Sequence, residues 1–554
     1  MRLRFVRELS PARFGEVGRP IGGWRRADGE VCALASEIDR LYWPGRAVYE
    51  GRRIQHRLSL YDGALERRLG VFDRARFPIR DVAFHPTRPL VAIGTGSYDG
   101  GYQFEGDLWL WNWESAEVRT LLGESRDVTA CRWVDGARLA VLLHPRDEEE
   151  YPGEENEAFD TYVGLVLDDL RDIHASGFRS SGSNRDPRLA DLQPIDPATL
   201  GFGSSPIESR ERRSRFTEVM GSAPYEERSR VWDLMWLSPE LLAATHDRCH
   251  VEVWNTRTGA RLQHIRGEGH GVQLVEALGS RLVHVFRPAD FIENVADRST
   301  LFRLGPAGLE PVRSFDHAVV LSTDERGNLL CRDPGDPGRK RERADVVLSA
   351  SNEEALRTDL GHYDCANHYL RLDGRDGLYF LRGTPPSSHE HKRLCRVDLT
   401  GTIDEVMDWD DQATHLMDSA ASWLSARSIV RAARVYGPRP GAGSKLIERR
   451  DFGADGPTWS VPVDAAATEL GAAGDAVVFA LMDGTLGILD AETGALRWTE
   501  KLEVDGVPTF ATTLAIQGDA VAIGTADGRV LLMQLEAARA TRAVVGCARG
   551  FSRA

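Results

Sequence analysis

Positive charge is in short supply in this 554-residue sequence: 69 Lys and Arg stand against 84 Asp and Glu, a formal net charge of −15. A chain that grips nucleic acid or an anionic membrane needs an excess of Lys and Arg to displace counterions, so both kinds of partner are disfavoured. Cysteine is also sparse. The seven (Cys32, Cys131, Cys249, Cys331, Cys365, Cys395, Cys547) are scattered, odd in number and free of CxxC pairing, which excludes a disulfide framework or a zinc ribbon and fits reduced thiols in a cytosol. No apolar run approaches the roughly 18 to 20 residues of a membrane span. Met1-Arg2-Leu3-Arg4-Phe5-Val6-Arg7 alternates apolar residues with Arg and so does not read as a signal peptide. The expected compartment is the cytoplasm.

Catalytic signatures are missing too. There is no G-x-S-x-G elbow and no H-E-x-x-H helix. Gly437 to Lys445 has a phosphate-loop flavour, but Ser444 precedes Lys445 and a strand follows, so it reads as a hairpin loop. His246, Cys249 and His250, the trio His362, Cys365 and His368, and the pair His389 and His391 each supply part of a zinc ligand set and none completes one. No catalytic residue, metal ligand or cofactor is assigned.

What is present is repetition. Val-Ala-Ile-Gly-Thr occurs at Val91 to Thr95 and again at Val521 to Thr525, each time in a strand-turn-strand pattern. A unit opening on Asp and alternating apolar residues recurs at Asp81, Asp127 and Asp233, the first two 46 residues apart. That period, about 40 to 45, is the period of a four-stranded propeller blade. The longer second interval contains Ser-, Arg- and Pro-rich text from about His174 to Glu227. Weaker blades read at Val272 to Leu304, His317 to Asp333, His368 to Val397 and Ser419 to Val461. The expected fold is all-β, a single β-propeller with eight blades fitting better than seven. Residues 1–54 form an N-terminal extension packed on the ring, 55–540 the propeller with its insertion at about 174–227, and 541–554 a tail. A propeller hides its unpaired edges by closing, and Arg57 to Asp62 is the expected closing strand.

The unit around Leu234 to Gly259 resembles the WD40 propellers, whose third strand commonly ends in Trp-Asp; here Trp254-Asn255 and Trp111-Asn112 carry Asn instead. Ile488 to Trp498, with Thr493-Gly494 and Trp498, resembles the tryptophan-docking repeat of quinoprotein-like propellers. That resemblance implies a Trp packed between blades and a Thr-Gly turn. Most of the 13 tryptophans suit packing between sheets.

Such folds mainly present surfaces. Two loops of opposite charge are the candidate partner-binding elements: Asp147, Glu148, Glu149 and Glu150 between two strands, and Arg210, Arg212, Arg213 and Arg215 in the insertion. Arg339, Lys340, Arg341 and Arg343 read as a solvated basic loop. The expected function is a non-enzymatic protein-protein interaction scaffold or regulatory subunit of a bacterial cytoplasmic complex, with protein partners of unknown identity. Two alternatives remain: a component of a stress or phage-defence assembly controlled through capture or proteolysis of the insertion, and a propeller enzyme using the central channel.

Overall fold

The computed structural model describes residues 1–9, 13–38, 56–98, 104–122, 125–145, 163–171, 179–181, 214–246, 250–267, 269–290, 295–315, 318–333, 344–361, 370–373, 376–383, 392–409, 415–436 and 445–536. Among them, ten antiparallel sheets of three or more strands hold nearly all of the strands, nine with four strands and one with three, beside two two-stranded ribbons. Middle strands such as Leu90–Thr95, Leu139–Leu143 and Ala476–Leu481 are buried at every position. Neighbouring sheets cover both of their faces, which is why they read as unbroken apolar runs. An outermost strand such as Leu496–Lys501 stands half in solvent.

Seven sheets pack face to face in a closed circuit. Blade 1 spans residues 231–265, blade 2 270–315, blade 3 319–358, blade 4 378–408, blade 5 415–463 and blade 6 467–501. Blade 7 combines residues 511–536 with the N-terminal strand Arg2–Glu8, which pairs antiparallel with Val530–Glu536. Each junction has its own apolar cluster: Ala243 and Leu274 between blades 1 and 2, Leu282 and Val320 between 2 and 3, Leu330 and Phe380 between 3 and 4. Leu394 and Ile429 join blades 4 and 5, Val430 and Leu470 blades 5 and 6, Ile488 and Val521 blades 6 and 7. Val231, Leu242, Ala522 and Leu532 bring blade 7 back to blade 1. The architecture is a β-propeller.

The other three sheets, at residues 19–75, 79–120 and 128–181, form a stack outside that circuit. Phe72 and Trp111 lie between the first and second, Leu110 and Val141 between the second and third. A helix at 214–220 covers the far face of the first with Phe216, Val219 and Met220, against Cys32, Leu34 and Tyr61.

The expected closing strand is corrected accordingly. His56–Asp62 is the third strand of the first stack sheet, held between Val31–Glu37 and Arg68–Ala75. The ring closes instead through Arg2–Glu8, so the whole stack is inserted between the closing strand and blade 1. Residues within 1–54 form that strand and half of a sheet, where a packed extension was expected. The single eight-blade ring gives way to a circuit of seven and a stack of three. The physical reason is that alternation marks a strand without naming its partner.

Nine of the ten sheets carry a register shift at the same place between their first two strands, for example Ile79/Asp81, Val231/Asp233, Gly271/Gln273 and Ala467/Glu469. A bulge re-aims the next side chain. Asp81 there accepts the backbone N–H of Cys131 (2.8 Å), Asp233 that of Leu274 (2.8 Å) and Gln273 that of Val320 (3.2 Å), each on the next sheet. Asp127 is not equivalent. It lies three residues before Ala130, which occupies the post-bulge position, and its carboxylate meets His144 Nδ1 at 3.0 Å.

Tryptophans add a second tie through their indole N–H groups. Trp133 donates to Ala83, Trp236 to Ala515 and Trp459 to Ala491, each at 3.1 Å and each on a neighbouring sheet. Between Ile488 and Trp498 the turn at Gly494 has φ +71° and lies against the Trp459 ring from blade 5. Asn112 and Asn255, which replace the Asp of the WD40 pattern, accept the N–H groups of Ser115 and Thr258 in the turns that follow. Either residue type can make such a turn.

Candidate interaction face

Successive antiparallel strands place their connections alternately at two ends of each sheet. Shared bulges and the side chain to backbone bonds above keep the inner strands in step, so these ends line up into two faces. At one face, where first strands join second and third join fourth, the turns are short: Ser238 to Leu241, Ala277 to Ser280 and Ala473 to Ala476, for example. The connection between Val163–Asp168 and Arg179–Ser181 is the clear exception.

The opposite face carries the long connections: Glu37 to His56, Thr95 to Leu108, Leu143 to Val163, Ser181 to Val231, Asp333 to Ala344, Thr358 to Leu378 and Arg382 to Arg393. Long connections on a rigid scaffold are the usual carriers of binding function. Both charged loops singled out in the sequence belong to this set. Asp147, Glu148, Glu149 and Glu150 lie outside the described residues, between the adjacent strands Leu139–Leu143 and Val163–Asp168. Arg210, Arg212 and Arg213 also lie outside them. Arg215 is exposed on the helix at 214–220. The basic loop with Arg339, Lys340, Arg341 and Arg343, together with Cys249, the His362 trio and the His389 pair, falls outside the described residues as well.

The stack and the ring meet through this same end. Arg57, near the start of its strand, donates to the carbonyl of Glu16 (2.8 Å), the carboxylate of Asp527 (3.0 Å) and the carbonyl of Pro508. Asp527 sits in the turn after Val521 to Thr525, where it accepts from Thr525 Oγ1 (2.6 Å) and from Arg529. Burial opposes ionisation of Asp527, but the guanidiniums of Arg529 and Arg57 outweigh it and hold the carboxyl well below the usual range. Ile38 packs on Phe510 and Ala526. Tyr61 donates its hydroxyl to Glu16, and Arg68 lies 3.6 Å from Glu16. At the end of the closing strand, burial raises Glu8 to about 7, with Arg529 opposing.

The central channel holds an ion pair that crosses it. Among the described residues blade 4 has no regular innermost strand; residues 370–373 run there, with Leu372 N–H donating to the Leu321 carbonyl on blade 3 (3.1 Å). Arg371 from this segment pairs with Asp373 and reaches Asp233 on blade 1 at 3.2 Å. Burial raises the Asp373 carboxyl, against the pull of Arg371.

One further cluster places Glu226, Glu252 and His264 ligand atoms within 4.8 Å of one another. Its donor set does not suit a cation. Arg261 Nη1 lies 2.9 Å from Glu226 and 2.8 Å from Glu252, with Arg228 and Arg266 also within 4.0 Å of these carboxylates. Burial opposes ionisation of Glu252, yet His246, Arg228 and Arg261 overcome it and pull the pKa well below the usual range. The cluster is an ion-pair network fastening the segment before blade 1 to that blade. Sequence spacing gave no sign of it, because Glu226 comes from the insertion.

No protein-family model matches this chain, and no curated protein does. Among solved structures it is similar to the WD40 repeats of RRP9 (11% identity, TM-score 0.42, covering 56% of this chain and 96% of that one). It is similar to U3-55K (10% identity, TM-score 0.41, 56% and 97%) and to Raptor of Chaetomium thermophilum (12% identity, TM-score 0.40, 56% and 28%). Likeness at this level carries no inference about function. Strand pairing and the closed circuit define the class as a β-propeller protein. No helix among the described residues is long and apolar enough to cross a membrane.

Proposed function

We propose that this protein is a non-enzymatic interaction scaffold or regulatory subunit of a bacterial cytoplasmic complex, and that its partner binds the face carrying the long connections. One observation carries the reading: with a single clear exception, every long connection leaves the sheets at the same face, and the stack docks on the ring through that end. Ring and stack then act as a rigid mount for oppositely charged loops. The buried cysteines Cys32, Cys131, Cys331 and Cys395 are unpaired, which suits a reducing compartment. A channel enzyme fits less well, since Arg371 already bridges the channel to Asp233.

The test is a tagged pull-down from the native host with mass spectrometry. The full chain is compared with one in which 182–213 becomes a Gly-Ser linker, keeping the helix at 214–220, and with one carrying Asp147→Asn, Glu148→Gln, Glu149→Gln and Glu150→Gln. A stoichiometric partner lost with either change is the expected result. No stoichiometric partner for the full chain would refute the scaffold reading.

A further inference from the structure

His246 ends the second strand of blade 1, Leu241–His246, and is buried. Its two ring nitrogens face two oxygens. Nδ1 donates to the carbonyl of Ser229 (3.2 Å), in the segment before blade 1, and Nε2 lies 3.4 Å from Glu252 Oε2 on the third strand. A backbone carbonyl has no proton to give. Glu252 has none either, since it accepts from Arg261 Nη1 at 2.8 Å and from the indole N–H of Trp254 at 3.2 Å, and its carboxyl is held well below the usual range. A neutral imidazole has one N–H and one lone pair, so it serves one of these oxygens and turns its lone pair on the other. Holding both takes the imidazolium.

The segment that His246 holds joins three bodies. Residues 221–230 run from the helix on the stack to the first strand of blade 1. Tyr225 donates to the carbonyl of Gly18, just before the first stack sheet (2.9 Å). Glu226 meets Arg261, His264 and Arg266 of blade 1 and its outer end. On its other side the Ser229 carbonyl is packed against Gly528 in the blade 7 turn, where an added Cβ would clash with it. Stack, blade 7 and blade 1 therefore converge on one stretch of backbone.

The charged groups around the imidazole come from four elements. Arg228 of the segment lies 3.5 Å from Glu226 and 3.9 Å from Glu252, and it acts on Glu8 of the closing strand. Arg261 and His264 face it from the outermost strand of blade 1, and burial together with Arg261 holds His264 toward its neutral form. His270 of blade 2 lies by the Trp232 ring, 6.0 Å between centroids. Asp247 and Arg248, next in the chain, lie outside the described residues.

We infer that His246 is a pH-dependent clasp: protonated, it locks the segment leading out of the insertion onto the ring, and on losing its proton it gives up Ser229 or Glu252 and frees that segment. Histidine is the side chain whose charge changes between about pH 5 and 8. The contact is present when the proton is held and is lost as pH rises through that range. Acid fastens the joint between insertion, stack and ring, and alkali loosens it. The clasp needs no partner, so its failure leaves the scaffold reading standing.

The test is limited trypsin digestion of the full chain at pH 6 and pH 8. Mass spectrometry reads cleavage after Arg228 and Arg230, whose side chains are buried, scaled to a free peptide of residues 224–234 at the same pH. Cleavage then reports the open fraction. The scaled rate should rise at least about tenfold from pH 6 to pH 8, the scale of one lost charge-assisted hydrogen bond. His246→Gln, with no charge to lose, should be cut fast and equally at both, whereas His264→Gln and Glu8→Gln should keep the rise. An equal scaled rate in wild type, a rise retained in His246→Gln, or a rise abolished by Glu8→Gln would overturn the assignment. Should His246→Gln not fold, imidazole ¹⁵N spectra of the wild-type chain decide. Both His246 nitrogens should carry a proton at pH 6 and one of them at pH 8; a single protonated nitrogen at pH 6 would refute the clasp.

Discussion

Arg57 and Asp527, 470 residues apart in sequence, form a buried ion pair with side chains 1% and 0% exposed, N to O distance 3.0 Å. It joins a stack sheet to the last blade of the ring. Removing one partner of a buried pair leaves an uncompensated charge and costs about 3–5 kcal/mol. Asp527→Asn leaves Arg57 and Arg529 facing each other, whereas Arg57→Met leaves Asp527 its second guanidinium. Asp527→Asn should therefore be the more destabilising in urea unfolding. The reverse order would mean that Arg529 does not share the site.

The same junction should give stability an unusual dependence on pH. Glu8 titrates at about 7 in the folded protein against an ordinary 4.5. Between those values the folded state holds the extra proton, so stability falls as pH rises through this window. The shift corresponds to about 3 kcal/mol, reduced to roughly 2 because the group is partly solvated. Asp527 acts with the opposite sign: its depressed pKa stabilises above the usual carboxylate range and is lost in acid. Thermal melts from pH 4.5 to 7.5 should show a falling stability in wild type and a shallower slope in Glu8→Gln. The same slope in both would assign it elsewhere.

Turn glycines on the short-turn face should differ in how much they tolerate a side chain. Gly494 has φ +71°, and an added Cβ would come within 2.7 Å of the Trp459 ring. Gly474 has φ +59° with nothing within 4 Å of that position. Gly474→Ala should cost only the backbone term, about 1 kcal/mol, and Gly494→Ala about 2–4 kcal/mol once the blade 5 contact is disturbed. Equal losses in chemical denaturation would show that Trp459 does not dock on this turn.

Much of the architecture was legible in the sequence, for a physical reason. The Val-Ala-Ile-Gly-Thr copies are both second strands, Leu90–Thr95 and Ala520–Thr525, and sheets on both sides demand the same apolar run. The copies nevertheless sit in different bodies, one in the stack and one in the ring. Local text could not reveal that, because the choice of sheet neighbour is made by contacts between residues hundreds apart, such as Ala522 with Val231. The Arg2–Glu8 alternation was visible as text unlike a signal peptide, and its role as the closing strand depends on Val530–Glu536. The two charged loops were found by composition, but the face they share emerges only once strand order is known. Arg371 and Glu8 had no motif, since their chemistry arises from what the fold brings beside them.

The most direct test of the account is amide hydrogen exchange on the protein purified from its host with its stoichiometric partner, compared with the free chain. The account predicts protection concentrated in the long connections, 144–162, 182–213 and 334–343 among them, with turns such as Ser238 to Leu241 and Ala473 to Ala476 unchanged. Protection confined to those short turns, or exchange identical in the two samples, would contradict it.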